Sequence, residues 1–495
     1  MIVKTDISEI ESYLVDASNY KGDCEKVYFP ETIDEVKEII AEANENKVKV
    51  TVAGNGTGLT GGRVPEGGIL ISTEKLNKII EINESEKYAV VQPGVLLREF
   101  IELVNEKNLY YPPDPTEKDC YIGGTVANNA SGAKTFKYGS TRDFVLSLKI
   151  ILPSGEELNL KRDQIFADGS KLTLVTEDGK SISIELPKYK MPKTKHAAGY
   201  FVNENMDAID LFIGSEGTLG FISEIKLKLL DKPENILSSV IFFDEEENGL
   251  NFINEARQIS LSTREEKGKG LDALGLEYFD VNALNFLRDD FPNIPQNAKA
   301  AVWFEQEFTE ENEESIFNEW IELIEKCKGD VESAWFANND KDRKQFGNFR
   351  HAVAWKVNEY MARKNIMKVG TDIAVPNENF REFYWFAKNR VKEHNITQVA
   401  YGHFGNSHLH LNMLPEDQEQ YKIAKEIYME LCERGVELKG TISAEHGIGK
   451  LKRQYLEMMF GEENLKKMAQ LKKQLDPNLI LNFGNIIEQK FYDDI

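Results

Sequence analysis

Residues 401–412 read YGHFGNSHLHLN and hold His403, His408 and His410, three of the seven histidines in a chain of 495 residues. Imidazoles this close can ligate a divalent metal or stand as hydrogen-bonded polar residues at the end of a sheet. A two-residue hairpin turn at Gly405-Asn406 would set His403 opposite His408 and put His410 and Asn412 on the same face, because strand side chains alternate. Residue types alone let any two of the three bind a metal.

Glycine supplies a second kind of chemistry. In AGNGTGLTGG, Gly54, Gly56, Gly58, Gly61 and Gly62 leave successive backbone N–H groups free to curl around an anion such as a pyrophosphate. One such stretch is equally a surface turn. It does not fit a dinucleotide-binding βαβ unit, since it leads through Pro65 into another strand, and no Gly-Lys-Ser/Thr follows for a Walker loop. IGGTVANNASGAKTFKYGS (122–140) reads as a second loop of this kind and IGSEGTLGF (213–221) as a third. Three within 230 residues favour one shared ligand with a long phosphate-containing body.

The elements that must position these residues form a chain long enough for roughly three folding units of about 100–200 residues each. PETIDEVKEIIAEANENK reads as a helix with Thr32 as its N-cap, followed by strands at VKVTVAG and GILIST, then at YAVVQPG and LSLKIILPSGEELNL. Past Pro233 long amphipathic helices alternate with strands, as in AVWFEQEFTEENEESIFNEWIELIEKC, and suggest a separate α+β unit. A last helical stretch begins near residue 417. With 83 acidic against 60 basic residues the formal charge is −23, which argues against nucleic acid and requires a few Arg or Lys placed locally for any anionic substrate. The start MIVKTDISEIESYL reads as neither signal nor transit peptide, and no apolar run approaches the roughly 20 residues of a spanning helix, so a cytoplasmic location is expected. Cys24, Cys120, Cys327 and Cys432 have no metal or dithiol spacing.

PETIDEVKEII, AGNGTGLTGG, VQPGV, YPPDP, IGGTVANNASG, KYGSTRD and IGSEGTLGFISE, in this order, resemble the FAD-binding domain of the vanillyl-alcohol oxidase superfamily. GHFGNSHLHLN, SAEHGIGK and DPNLILNFG resemble the C-terminal half of its D-2-hydroxyacid dehydrogenase branch, which includes D-lactate dehydrogenases, glycolate oxidase flavoprotein subunits and D-2-hydroxyglutarate dehydrogenases. The resemblance implies an α+β fold: a two-subdomain FAD-binding domain (1–230), a substrate domain with an antiparallel sheet (231–440) and a C-terminal segment returning to the flavin (441–495). It assigns FAD binding to Gly54, Asn55, Gly56, Thr57, Gly58, Gly61, Asp114, Gly123, Gly124, Asn128, Ser131, Gly132, Glu216, Gly217, Ile222 and Asn482. The first glycine loop has no His or Cys, so non-covalent FAD is expected.

The same resemblance selects His403, His410 and Glu445 as ligands of a divalent metal such as zinc, with His408 in an open role. His446 resembles the proton acceptor, Arg350 the arginine that grips the substrate carboxylate, and Asn412 a substrate contact. Without the resemblance Arg350 reads as a helix-surface arginine. Hydroxyglutarate-type relatives carry a lysine where this chain has Gly370, with Lys368 two residues earlier, so a short substrate such as D-lactate or glycolate moves ahead of D-2-hydroxyglutarate. The implied reaction is hydride transfer to flavin N5, with a separate electron-transfer protein or quinone as the next acceptor. The alternatives are an alkyl-dihydroxyacetone-phosphate synthase-like flavoenzyme, a flavin-free metallohydrolase and an electron-transfer module.

Overall fold

The computed structural model describes residues 1–337 and 339–493. Near the N-terminus, Thr32 accepts from Glu35 N at 3.3 Å while the Glu35 carboxylate takes Glu31 N and Thr32 N, a capping box that starts the helix Ile33–Glu45. Its buried stripe of Val36, Ile39, Ile40 and Ala43 lies on a four-stranded sheet ordered Ile2–Lys4, Lys26–Phe29, Ile69–Ser72, Val50–Ala53. The last three strands pair in parallel. A second, five-stranded antiparallel sheet runs Ile79–Asn83, Tyr88–Val91, Phe221–Lys228, Val145–Ile151, Glu157–Lys161.

The stretch 122–140 is not the continuous loop that its glycines and asparagines suggest. Ile122–Ala127 and Thr135–Tyr138 are helical. Glycine is needed here for close approach instead: a Cβ on Gly123 would lie 2.5 Å from the Pro93 side chain, and one on Gly132 1.8 Å from the Asp114 carbonyl oxygen.

The third sheet is antiparallel throughout its main path, ordered Asp330–Phe336, Asn235–Phe243, Ala300–Phe308, Ala273–Asp280, Thr397–Gly402, His408–Leu414, Val369–Gly370. Its two faces are covered by different helices. Phe252, Trp320 and Phe383 of Glu246–Glu265, Glu313–Lys326 and Phe380–Glu393 join Leu276 and Tyr278 in one core, while Leu284, Phe349 and Val353 of Val281–Leu287 and Asp340–Lys364 join Phe279 and Trp303 in another. The protein is therefore an α+β fold that joins a mixed and an antiparallel sheet from residues 2–228 to a longer antiparallel sheet from residues 235–414. Among the described residues no helix is long and apolar enough to cross a membrane.

The C-terminus runs back to the first sheet. Val50 N donates to the Ile480 carbonyl and Asn482 N to the Val50 carbonyl, both at 2.8 Å. Behind this bridge sits a buried cation. Lys472 Nζ donates to the Asp476 carboxylate and to the carbonyls of Thr218 and Leu481, each at 2.8 Å, and so ties the last helix to the third glycine-rich stretch. Lys472→Met removes the cation and leaves Asp476 a fully buried carboxylate. The expected cost is about 3–5 kcal/mol, the range for breaking a buried pair from one side, seen as a lower urea midpoint. A midpoint equal to wild type would mean that the amides of Ile480 and Leu481 satisfy Asp476 alone.

Candidate active site

A single cavity of about 1370 Å³ brings the glycine-rich stretches and the histidine cluster together. Its wall includes Gly54, Asn55, Gly56, Thr57, Gly58, Gly123, Gly124, Asn128, Ser131, Glu216, Gly217, Ile222 and Asn482, and also Arg350, His403, His410, Asn412, Glu445 and His446. Gly61, Gly132 and Asp114 are not in the wall but behind it. Gly61 N donates to Asp16, Gly132 crosses the Asp114 backbone, and the Asp114 carboxylate pairs with Lys118 at 3.0 Å. Among the described residues the amide N–H groups from Asn55 to Leu59 donate to no protein acceptor, as a cradle for a diphosphate requires. Free amides, cavity size and the absence of side-chain bulk at the glycines all suit FAD.

The hairpin that carries the histidines reverses over more residues than Gly405-Asn406. Phe404–Asn406 form a turn of 3-10 helix, and Ser407 takes a left-handed conformation (φ 53°). Phe404 forces this, since its fully buried ring stacks on Tyr278 at 4.5 Å between centroids. Tyr401 then pairs with His410, and His403 lies just past the end of its strand.

Two imidazoles converge on one carboxylate oxygen: His403 Nε2 and His410 Nε2 each lie 3.2 Å from Glu445 Oε1. The remote nitrogens have fixed partners. His410 Nδ1 faces the Thr371 carbonyl at 3.2 Å, which can only accept, so the proton sits on Nδ1 and the Nε2 lone pair points at Glu445. Glu277 Oε1 receives His403 Nδ1 at 2.8 Å in the same way. Burial alone would push the His403 imidazole down, but Glu277 and Glu445 overcome it and hold His403 above its ordinary value. Two imidazole nitrogens and a carboxylate oxygen grouped this closely form a donor set of the kind that suits a divalent metal ion.

His408 is fully buried, with Nε2 3.0 Å from Asp372 Oδ1 although neither ring nitrogen is aligned for a hydrogen bond. It does not line the cavity. Asp372 itself is a hub. It accepts from Lys452 Nζ at 2.6 Å, Ser443 Oγ at 2.8 Å, His446 N at 3.1 Å and Glu445 N at 3.2 Å, so it shapes the whole loop that carries Glu445 and His446. Asp372 Oδ2 also lies 3.3 Å from His446 Nδ1. That contact places the proton on Nδ1 and leaves Nε2 as the free base, and burial pushes the imidazole down to about 4, so it is neutral at neutral pH.

Arg350 is not a helix-surface residue. Helical spacing puts it on the buried stripe of Phe346, Phe349, Val353 and Val357. Its Nε donates to Glu277 Oε2 at 3.0 Å and Nη1 faces His351 Nε2 at 3.4 Å, while among the described residues Nη2 has no protein partner, and Arg350 lines the cavity. Asn412 Nδ2 is likewise buried and unpartnered. A Cβ at Gly370 would fall 2.9 Å from Asn412 Oδ1, so the small residue makes room for that amide. Two contributors gave no signal in the sequence: Asp372 and Lys195, whose Nζ holds Glu445 Oε2 at 2.7 Å. For Glu277 a hint existed, as the one charge before the cap residue of the apolar strand ALGLEYFD.

Residues 244–486 match the model of the FAD linked oxidases, C-terminal domain, and residues 24–161 that of the FAD binding domain. Glycolate oxidase subunit GlcD of Bacillus subtilis (strain 168) is 30% identical over 482 residues, covering 96% of this chain and 91% of that protein. D-lactate dehydrogenase of Anaerostipes hadrus is 29% identical (92% of this chain, 87% of that protein), and D-2-hydroxyglutarate dehydrogenase of Stutzerimonas stutzeri (strain A1501) 28% (98% and 96%). Among solved structures, 4-ethylphenol oxidase from Gulosibacter chungangensis shares the fold at 18% identity, with a TM-score of 0.67 over 99% of this chain and 95% of that one. The glycine cradle, which lies inside the match to the FAD binding domain, and the relatives agree: the chain belongs to the FAD-linked oxidase family, in the D-2-hydroxyacid dehydrogenase branch of the vanillyl-alcohol oxidase superfamily.

Proposed function

We propose that the protein oxidises a D-2-hydroxy acid, D-lactate or glycolate, to the 2-oxo acid, using non-covalent FAD and a divalent metal ion, with zinc as the first candidate. The observation that supports this most is the convergence of His403, His410 and Glu445 beside a neutral His446, on the cavity shared with the flavin cradle. When bound, FAD supplies the acceptor for the hydride leaving Cα, and the metal the Lewis acid that eases loss of the hydroxyl proton.

The protein groups supply orientation and proton transfer. Arg350 Nη2 and the Asn412 amide are free donors for the substrate carboxylate, and Glu277 keeps the guanidinium in one rotamer by holding Nε. His446 Nε2 takes the hydroxyl proton, and Asp372 stabilises the imidazolium that results. The match to an FAD binding domain counts against a flavin-free hydrolase.

One observation favours a second reading, D-2-hydroxyglutarate. Lys368 lines the cavity with no carboxylate partner among the described residues, and burial pushes its ammonium down to about 8, so it could meet a second anionic group.

Anaerobic flavin bleaching by D- and L-lactate, glycolate and D- and L-2-hydroxyglutarate tests the reaction and separates the two readings. Bleaching by a D-isomer or by glycolate is expected, together with release of all flavin on acid precipitation. Bleaching by none of them sinks the proposal. Glu445→Gln is expected to lose metal while FAD content stays normal, since an amide oxygen is a much weaker ligand than a carboxylate. Full activity of metal-stripped wild type would refute the metal.

His446→Asn separates the base from the ligands. It should retain FAD and metal and slow flavin reduction by roughly 10²- to 10⁴-fold, as for loss of a general base. Wild-type rates in stopped flow would move the proton acceptor elsewhere.

A further inference from the structure

Glu445 divides its two oxygens between two halves of the protein. Oε1 faces His403 and His410, whereas Oε2 receives Lys195 Nζ at 2.7 Å and Ser131 Oγ at 3.4 Å. Lys195 is only 4% exposed and does not line the cavity, so it stands behind the carboxylate and cannot touch substrate. Its segment is fixed against the loop that carries Glu445, because Ala197 N donates to the Ser443 carbonyl at 2.9 Å. Asp372 holds that loop from the other side through Glu445 N and His446 N.

A carboxylate can bind a divalent cation through one oxygen or through both. A protonated lysine has three donors and no lone pair, so it cannot be a ligand and competes with a cation for the oxygen it holds. We propose that Lys195 is a positioning residue that keeps Glu445 a one-oxygen ligand and so preserves open coordination positions for the hydroxyl and carboxylate of the hydroxy acid. The proposal rests on the metal reading above. It gives a flavin-domain lysine control over a site whose other ligands come from the substrate sheet. The direction of its effect on the metal also separates it from a plain supporting role: a lysine that only steadied Glu445 would strengthen metal binding, whereas one that competes for Oε2 restrains it.

The test uses metal-stripped, FAD-loaded protein titrated with cobalt(II), whose visible bands weaken as coordination number rises. Wild type is expected to bind cobalt with bands, read on the long-wavelength side of the flavin, that change when pyruvate or 2-oxoglutarate, the oxidised acids that cannot reduce the flavin, is added. Lys195→Met should bind cobalt as tightly or up to tenfold more tightly, with weaker bands that no longer respond to either acid. Its KM for the hydroxy acid should rise at least tenfold, with FAD content unchanged. Lys195→Arg, which keeps the charge and the donors, should restore the wild-type spectrum. If wild type takes up no cobalt, the metal reading itself fails and the proposal with it. If wild type binds cobalt and Lys195→Met has the same bands, affinity and response, Lys195 has no such role. Loss of cobalt from folded, flavin-replete Lys195→Met, with retention in Lys195→Arg, would reduce Lys195 to holding Glu445 in place and would also overturn the proposal.

Discussion

The site depends on one carboxylate that both halves of the molecule hold at once. Glu445 is reached by Lys195 and Ser131 from the flavin half and by His403 and His410 from the substrate sheet. Burial alone would raise its pKa, yet Lys195 and His403 outweigh burial and keep it well below the usual carboxylate range. Such pairs contribute little net stability, because taking both charges out of water costs about as much as their attraction returns. What they contribute is geometry. A carboxylate with both oxygens assigned cannot rotate, and neither domain can shift without losing one of its contacts.

The same device recurs around it. Glu277 is shared by His403 and Arg350, and Asp372 by Lys452, Ser443 and the backbone of the Glu445 loop. Glu216 accepts Ile448 N at 2.7 Å and Gly449 N at 2.8 Å, which fastens the continuation of that loop to the flavin half. Burial raises the Glu216 carboxyl to about 7 in spite of those two donors. Each acid joins segments far apart in sequence, so the site is assembled by tertiary contacts and not by any one motif.

That explains what could be read from the residues. The glycine cradle and the histidine hairpin are local, and their spacing alone marks them. The first long helix is local too, since its N-cap Thr32 and its helical spacing can be read directly from the residues. The helix Ile122–Ala127 was hidden because glycine usually signals a loop, whereas here it serves close packing on Pro93. The true turn after His403 was hidden because Phe404 is drawn into the core by Tyr278, a residue more than a hundred positions away. Glu277, Asp372 and Lys195 carry no spacing signature at all: each is one charged residue in an acidic, lysine-rich chain until the fold buries it.

The overall charge of −23 opposes an anionic substrate at long range, and the site resolves this locally. Surface acids lie in water where charges separated by more than about 8 Å are largely screened at physiological ionic strength. Inside the cavity the balance differs. Beside the histidines Glu277 and Glu445 are each already engaged by a cation, Arg350 and Lys195, and behind the wall Asp372 is engaged by Lys452. Lys368 is in the wall and forms no ion pair among the described residues. On the proposed function, an entering carboxylate meets free donors on Arg350 and Asn412, in a low-dielectric setting where each such contact is stronger than at the surface. Steering by the whole-protein field is unfavourable, so recognition has to come from these short contacts, and a ligand lacking the carboxylate has little to hold it there.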